Sequence, residues 1–363
     1  MNRTTQTLNK QNNYLLILQT AFIGDVTLSL FFAEELKQIF PDKKIIFVTT
    51  KISAPIVKCA KAIDEVIVFD KRKSHKKIKD MKKLADEINE KFEIDIIFSL
   101  HRSMRSTLFT KFINAKKRVG FNSAAFSFLY DTKIKYAKNL HEKDRNSAFL
   151  SIFNDVSHNK QNKIKNVEIT ISNQDIKTTE TLLENLPTNK KNITIAIGSV
   201  WNTKRWSADY FKILAEKLLE VNYNVILIGS EAERTESETI ANSIGAHSLA
   251  GKTTLPQTLQ VIKNSVLLIT NDSAPTHFAS ILNVPTITIF GPTSPIFGFA
   301  PLADFSEVAE DKELFCRPCS IHGEKKCPRK NHMCMNNITP EFVYNLAMSI
   351  LEKCKKQEQI LPN

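Results

Sequence analysis

The stretch Ile269–Pro301 reads ITNDSAPTHFASILNVPTITIFGPTSPIFGFAP, and its pattern predicts a β-α-β unit. A short apolar run, Val266–Thr270, leads into it, and Pro275–Leu282 then has helical spacing. A second β-rich run follows at Pro285–Phe290. Two strands joined by one helix are typical of a parallel sheet.

Polar turns follow both strands of this unit. Asn271-Asp272-Ser273 ends the first strand and Gly291-Pro292-Thr293 ends the second. Ligands of parallel sheets bind beyond the carboxyl ends of the strands, where a helix N-terminus offers free N–H groups to an anion such as phosphate. The stretch therefore predicts a phosphate-binding turn, but a simple helix cap at Asp272 or Ser273 explains the local pattern equally well.

Strands and helices alternate along the rest of the chain. Tyr14–Gln19 is the first predicted strand, and helical spacing over Val26–Phe40 follows it. Further strands are predicted at Lys44–Thr49, Glu65–Phe69, Ile94–Leu100, Ile193–Ile197 and Asn224–Gly229, and further helices at Asp144–Ser157, Asn173–Leu186 and Thr339–Lys353. This alternation predicts an α/β fold whose parallel sheets are covered on both faces.

The length indicates two domains. A chain of 363 residues with 42% hydrophobic content is long enough for two α/β cores. Residues 131–192 are rich in Lys and Asn and read as irregular between helical pieces, so the junction is expected near residues 160–190. The predicted division is 1–175, 190–340, and a C-terminal helix at 340–363 that packs back toward the first domain.

Charge is distributed unevenly between the two halves. The net charge is +12, and residues 1–165 hold 31 Lys/Arg against 17 Asp/Glu. A basic half indicates an anionic partner: nucleic acid, a membrane surface or a phosphorylated acceptor. No nucleic-acid module is recognisable, so a membrane-borne acceptor is favoured. Lys71–Lys91 is the most basic stretch, and it reads as a solvated helix face or as a membrane contact.

Two further features bear on location. The chain has no run of 18 apolar residues and no apolar signal core at its start, so a cytoplasmic protein is expected. Its six cysteines are too few and too unevenly placed for a secreted disulfide framework.

Charged side chains follow two strands of the first half. Asp25 comes after the first strand, where it reads as a helix cap or first-turn acid. His101, Arg102 and Arg105 follow Ile94–Leu100 and could bind an anionic acceptor, because the arginine fork suits phosphate.

The residues around the first stretch also carry a family resemblance. N-D-S-A-P-T-H-F-A from Asn271, followed by F-G-P-T from Phe290, resembles the donor site of the bacterial lipopolysaccharide heptosyltransferases, glycosyltransferase family 9. The similarity extends to Phe22–Val26, to Arg118–Phe121 and to a cysteine-rich segment near the end. Ala274 stands where the family usually has Gly.

The resemblance implies a GT-B fold, in which two Rossmann-like α/β/α domains have parallel sheets that face each other across a cleft. It implies an inverting, metal-independent enzyme that transfers heptose from ADP-heptose to the inner core of lipopolysaccharide, with Asp25 as the base. The partners would be a nucleotide-sugar donor and an anionic glycolipid, reached by a monomer at the cytoplasmic face of the inner membrane. The implied donor-binding residues are Lys204, Glu231, Asp272, Ser273, Ala274 and His277.

Four cysteines near the end leave several possibilities open. They are spaced Cys316-x2-Cys319-x7-Cys327-x6-Cys334, with His322 and His332 between them. The spacing does not match a known zinc ribbon, so a structural metal site is possible but not favoured. The alternatives are redox pairing of the cysteines and reduced thiols that only pack in the fold. No cofactor is expected.

Other functions remain as alternatives. A nucleotide-sugar epimerase has the same fold, and a non-catalytic binder of anionic lipid or nucleic acid would need only the basic half. A dinucleotide oxidoreductase is disfavoured because no G-x-G-x-x-G follows Tyr14–Gln19.

Overall fold

The computed structural model describes residues 13–153 and 164–360. Two compact units make up the chain: Met1–Ala137 with Lys143–Asn162, and Lys138–Glu142 with Lys163–Asn363. Among the described residues, those from Ile164 onward thus belong to the second unit. Residues 1–12 lie outside the described residues. The last four residues of the predicted helix Asp144–Ser157 also lie outside them.

A six-stranded parallel sheet forms the first unit, in the order β3-β2-β1-β4-β5-β6. Its strands are β1 (Asn13–Leu18), β2 (Lys44–Thr49), β3 (Glu65–Val68), β4 (Glu93–Ser99), β5 (Ala115–Phe121) and β6 (Thr132–Ile134). The helices up to residue 153 are α1 (Ile23–Ile39), α2 (Ala54–Val57), α3 (Ile78–Lys91), α4 (Met104–Phe112) and α5 (Glu142–Ser147). The middle strands are apolar runs and are buried on both faces by helices.

The second unit has the same architecture, in the order β12-β11-β10-β7-β8-β9. Its strands are β7 (Asn192–Ala196), β8 (Asn224–Ile228), β9 (His247–Ser248), β10 (Ser265–Asn271), β11 (Thr286–Phe290) and β12 (Ser306–Glu310). The helices are α6 (Asn173–Leu183), α7 (Ala208–Glu220), α8 (Arg234–Ile244), α9 (Leu255–Lys263), α10 (Ala274–Leu282), α11 (Met333–Asn336) and α12 (Pro340–Ile360). Ile193, Leu227, Leu267 and Ile287 from four strands share one core with α7 and α12.

The C-terminal helix α12 packs within the second unit. It contacts α7 and strands β10, β11 and β12, and Val343, Ala347, Ile350 and Leu351 lie in that unit's core. That the helix also packs back toward the first domain stays a prediction. The last three residues of the predicted segment 340–363 lie outside the described part.

Most predicted strands agree with the structure to within one or two residues. Four strands were not predicted. The short strand β6 is one of them, because residues 131–192 were expected to be irregular between helical pieces and this prediction is wrong at Thr132–Ile134. The others are β5, which reads AKKRVGF, the two-residue β9, and β12, which reads SEVAE. Strands β6, β9 and β12 lie at sheet edges, where only one neighbouring strand is needed and a continuous apolar run is therefore absent. Strand β5 lies between β4 and β6, and its charged start, Lys116-Lys117-Arg118, hides the apolar pattern.

Candidate active site

Each sheet has one topological switch point, where consecutive connections leave in opposite directions. In the first sheet it lies between β1 and β4, and in the second between β7 and β10. Ligands of open α/β sheets bind outside the carboxyl ends of the strands at such points. The residues that follow these four strands are therefore the candidates for a site, and they include most of the residues selected from sequence.

The turn after β10 is held rigidly across the second switch point. The Asn271 side chain, fully buried, donates to the Ile197 carbonyl at 2.8 Å and accepts from the Trp206 N–H at 3.0 Å. Ser273 is the N-cap of α10, but its side chain makes no capping hydrogen bond. The first N–H groups of α10 therefore lack a side-chain cap, as an anion-binding helix N-terminus requires.

A buried ion pair lies beside this helix start. The Lys204 Nζ is 2.6 Å from Asp272 Oδ2, and the two side chains are only 12% and 9% exposed. The Thr293 hydroxyl donates to the same carboxylate oxygen at 2.6 Å. The turns after β7, β10 and β11 therefore converge on one carboxylate, which fixes the position of the lysine ammonium.

His277 lies one helical turn into α10. Its side chain is buried, and its Nδ1 has no hydrogen-bond partner among the described residues. Burial, with His141 and Lys204 nearby, lowers the pKa of His277 to about 3. The imidazole is therefore neutral near pH 7, and its unsatisfied nitrogen is available to a neutral donor or acceptor group of a ligand.

Two glutamates follow β8, and they differ in exposure. Glu231, the residue chosen from sequence, has a 72% exposed side chain and pairs with Arg234 at 3.4 Å. Glu233 is buried instead: it accepts from the Ser230 N–H at 2.9 Å and pairs with Arg205 at 3.2 Å. Glu231 thus has the access that a ribose contact needs, whereas Glu233 closes a capping box that shapes the turn.

The cysteine-rich segment folds onto the same turns. Arg317 donates to the carbonyls of Phe290, Gly291 and Thr293 and pairs with Glu310 at 2.7 Å. The Cys319 N–H donates to the Pro292 carbonyl at 2.7 Å. The segment therefore holds the Gly291-Pro292-Thr293 turn in place through hydrogen bonds to its carbonyl groups.

The loop that carries Lys204 is tied to this segment as well. The Thr203 hydroxyl donates to the Glu324 carbonyl at 2.7 Å, and the Glu324 N–H donates back to that hydroxyl at 2.8 Å. Gly323, at φ 88°, lies so close that a Cβ there would be 3.0 Å from Cγ of Lys204. Lys204 is thus positioned by the cysteine-rich segment in addition to Asp272.

The four cysteines of this segment line one cavity of about 330 Å³. All are free thiols, so the redox pairing considered from sequence is not formed. Burial acts to raise the pKa of Cys327, but the backbone N–H groups of residues 329–332 outweigh it and lower that pKa. Burial raises the pKa of Cys334 to about 11. Within residues 13–153 and 164–360, no group of three or more His, Cys, Asp or Glu side chains is arranged to hold a metal ion.

In the first unit, the turn after β1 meets the turn after β4. The Thr20 Oγ1 lies 3.0 Å from His101 Nδ1, and the Ser106 hydroxyl lies 2.9 Å from the same nitrogen. Burial, with Lys71 and Arg102 nearby, lowers the pKa of His101 to about 3. His101 is therefore a neutral part of a hydrogen-bonded network and brings no positive charge to an acceptor.

Asp25 lies in the first turn of α1, directly beyond this network. The N-cap of α1 is Phe22, so Asp25 is the third helical residue and does not cap the helix. Its side chain is half-buried. The structure thus retains the first-turn acid expected from sequence, and removes the capping role that was its alternative.

Three cations lie in the segments that follow β3 and β4. Lys71 donates from Nζ to the Thr20 carbonyl at 2.9 Å, and burial beside Arg72 and Arg105 lowers the pKa of Lys71 to about 8. Arg105 donates to the carbonyls of Lys71 and Lys76, so both of its terminal nitrogens support a loop. Arg102 is exposed, and its guanidinium lies 3.8 Å from the ring centre of Tyr136.

Comparison with known protein families identifies the family of this chain. The model described as glycosyltransferase family 9 (heptosyltransferase) matches residues 81–330. The chain belongs to glycosyltransferase family 9. It is therefore a glycosyltransferase, and the resemblance inferred from the turn after β10 is confirmed.

Individual relatives agree with this family 9 assignment. The chain is 25% identical over 338 residues to lipooligosaccharide heptosyltransferase 2 of Campylobacter jejuni, covering 91% of this chain and 96% of that protein. A solved glycosyltransferase family 9 structure from Veillonella parvula has a TM-score of 0.82 at 22% identity, covering 94% and 98%. The E. coli ADP-heptose LPS heptosyltransferase II structure has a TM-score of 0.77 at 21% identity, covering 94% and 99%. These structures confirm the GT-B fold.

Several residues that shape this family 9 site were not selected from sequence. Lys71 follows β3 directly, so the rule that ligands bind beyond strand ends could have identified it. The pattern Ser230-x-x-Glu233 is a recognisable capping box. Thr293 and Arg317 gave no comparable local signal, because their roles depend on partners in other loops.

Proposed function

We propose that this glycosyltransferase transfers a heptose from ADP-heptose to the inner core of a lipopolysaccharide, with inversion at the anomeric carbon and without a metal ion. The family match over residues 81–330 carries this proposal, because the family is described as heptosyltransferase. The Campylobacter relative, which this chain matches over nearly its whole length, supports the acceptor class.

The second unit supports the donor side of the proposal. The start of α10, at Ser273 and Ala274, would hold the diphosphate through backbone N–H groups. Lys204, fixed by Asp272, would add a positive charge as the leaving ADP becomes more negative. These groups provide the charge stabilisation that a metal ion supplies in other transferases. Glu231 would accept from the ribose hydroxyls, and His277 would contact the donor through its unsatisfied nitrogen.

The first unit supports the acceptor side. Asp25 would remove the proton from the acceptor hydroxyl as that oxygen bonds to the anomeric carbon and the bond to ADP breaks. Arg102 would bind an anionic group of the acceptor, while Arg105 and His101 would mainly hold the surrounding turns in place. We assign these roles from the burial of each side chain and from the hydrogen-bond donors that it does not already use within the protein.

The basic first half supports action on a membrane-borne acceptor. No helix in the described ranges is both long and apolar enough to cross a membrane. We therefore propose a monomer that binds peripherally to the cytoplasmic face of the inner membrane, where an anionic glycolipid acceptor would be exposed.

A donor and acceptor assay tests the proposed function. The full chain is incubated with a deacylated, water-soluble inner-core acceptor and either ADP-heptose or UDP-N-acetylglucosamine, with and without EDTA. Mass spectrometry should show one added heptose with ADP-heptose, unaffected by EDTA, and NMR should show an inverted anomeric centre. Transfer only from the other donor, or isomerisation of a donor without acceptor, would overturn the proposal and favour the epimerase alternative.

A further inference from the structure

The exposed hydrophobic side chains of the first unit are concentrated at one edge. The described part of this unit has six large hydrophobic residues that are exposed, and each follows the carboxyl end of a parallel strand. These residues are Phe22, Ile52, Ile78, Met104, Phe126 and Phe128. Because the strands are parallel, all six lie at the carboxyl edge of the sheet, which also carries Asp25.

The most exposed aromatic pair lies on a loop that is firmly anchored. Phe126 and Phe128 are 44% and 71% exposed, and their ring centres are 5.8 Å apart. The loop ends at buried Tyr130, whose hydroxyl donates to Ser99 at 2.8 Å. Gly120 makes room for this anchor, because a Cβ there would collide with the Tyr130 ring. The rings are therefore held in solvent by the structure around them.

A basic loop is joined to the same part of the unit as the aromatic loop. Residues 71–79 read KRKSHKKIK and contain no acid. This basic loop is joined to the start of α4 by Arg105, which donates to the carbonyls of Lys71 and Lys76. The aromatic loop is joined to the same place, because the Ala125 N–H donates to the Arg102 carbonyl at 3.0 Å. Both loops thus contact the start of α4 and place their apolar and basic side chains at the carboxyl edge of one sheet.

Four basic side chains of this surface form no ion pair. Among the ion pairs of the described residues, none involves Arg72, Lys73, Lys76 or Lys77, and all four are exposed. Exposed aromatic rings flanked by unpaired cations match an anionic bilayer, whose headgroups attract the cations and whose interface accepts the rings. A purely solvated face would have the cations without the rings.

We propose that this surface, formed by Met104, Phe126 and Phe128 with the basic residues of 71–79, docks the enzyme on an anionic phospholipid bilayer. The inference rests on the proposed function for its membrane-borne acceptor, and it goes further by assigning the docking surface. Docking through this edge brings Asp25 to the membrane surface, so a lipid-anchored acceptor reaches the base while its acyl chains stay in the bilayer.

Vesicle binding without any acceptor tests the proposal. Full-length protein is sedimented with vesicles of phosphatidylglycerol and phosphatidylethanolamine, and with phosphatidylcholine vesicles as the uncharged comparison. Binding should require phosphatidylglycerol and weaken with salt. Phe128→Ser should weaken binding by about tenfold. Lys73→Gln/Lys76→Gln/Lys77→Gln should weaken it on the order of 10²-fold.

A matched variant separates docking from a general loss of apolar surface. Phe342, on α12 in the second unit, is 42% exposed, and Phe342→Ser should leave vesicle binding unchanged. Equal losses in Phe128→Ser and Phe342→Ser, or no binding to anionic vesicles at low salt, would overturn the proposal. The proposal would also be overturned if vesicle binding were lost only in variants that no longer fold, which thermal melting of each variant would reveal.

The two proposals fail in different ways. Phe128→Ser should transfer sugar to the deacylated acceptor at the normal rate, because the soluble acceptor needs no bilayer. Normal transfer with no vesicle binding by the wild-type chain would contradict the docking proposal and support the proposed transferase function. Vesicle binding through Phe128 with no transfer from any donor would support docking and contradict the transferase function. If Phe128→Ser lowers transfer to the soluble acceptor as much as it lowers vesicle binding, the loop contacts the acceptor and the bilayer assignment is wrong.

Discussion

Charged turns at the carboxyl edges of the two sheets treat charge in opposite ways. In the loop after β3, exposed cations such as Lys76 and Lys77 form no ion pair in the described structure. In the second unit, two shielded cations are paired with shielded acids, in Lys204–Asp272 and Arg317–Glu310. Exposed cations of the second unit such as Lys325 and Lys326 also form no ion pair among the described residues, so the difference concerns these turns and not the whole of each edge.

This difference fits the partners proposed for each edge. A free cation in water is attracted to a large anionic surface without breaking any existing contact. A buried cation needs a carboxylate nearby, since an unpaired buried charge is costly, and the pair then holds the cation in one position. The first edge is thus suited to a broad partner, and the second to a small ligand with a defined geometry.

The largest expected effect concerns the base on the first edge. Asp25→Asn should lower sugar transfer by roughly 10²–10⁴, because an amide cannot take a proton from the acceptor. Asp25 does not cap α1, so the thermal melting temperature should change little. Transfer rates and melting are measured on the same preparation. Near-normal transfer by a folded variant would leave Asp25 as a first-turn acid that favours the helix dipole.

The second effect compares a paired charge with a free one. Asp272→Asn leaves the Lys204 ammonium largely buried without its carboxylate, so the free energy of unfolding should fall by about 3 kcal/mol. Lys77→Gln on the first edge should change it by less than about 0.5 kcal/mol. Both are measured by urea unfolding. Adding Lys204→Met to Asp272→Asn should restore part of the loss, and similar losses in the two single variants would contradict the contrast between the edges.

The smallest effect tests a feature that the two edges share. His101 and His277 have pKa values lowered to about 3, so between pH 3 and 6.5 the unfolded chain binds protons that the folded chain does not. Stability should therefore be complete above pH 6.5 and fall as pH decreases, by about 1.4 kcal/mol per pH unit for each histidine. Urea unfolding from pH 6.5 to 4.5 should show a shallower slope in His101→Gln and in His277→Gln. An unchanged slope in both variants would mean that the pKa values of these rings are the same in the folded and unfolded chain.

Local pattern was sufficient for much of the fold. Apolar runs with β-branched residues predicted most of the central strands, because those strands are buried on both faces. The edge strands β6, β9 and β12 were missed because an edge needs no such run, and the inner strand β5 was missed because Lys116, Lys117 and Arg118 interrupt its apolar pattern. Turn residues such as Asp25 and Asp272 could be selected because the ends of parallel strands gather at one edge, whereas Lys204 was selected from the family resemblance.

The roles of these residues depend on partners that are distant in sequence. Thr20 and His101 are 81 residues apart, and Asp272 receives its hydrogen bond from Thr293 and its ion pair from Lys204. Sequence alone also could not show that Arg105 supports a loop or that Glu233, rather than Glu231, is the buried acid.

The sequence by itself determined the alternation of strands and helices, the family, and the strand ends at which the site residues lie, since these follow from local periodicity and short motifs. Only the tertiary structure decided which charges are paired and which are free. The reason is physical: burial and ion pairing depend on distances of a few ångströms between side chains from separate loops, and those distances exist only after the sheets have assembled.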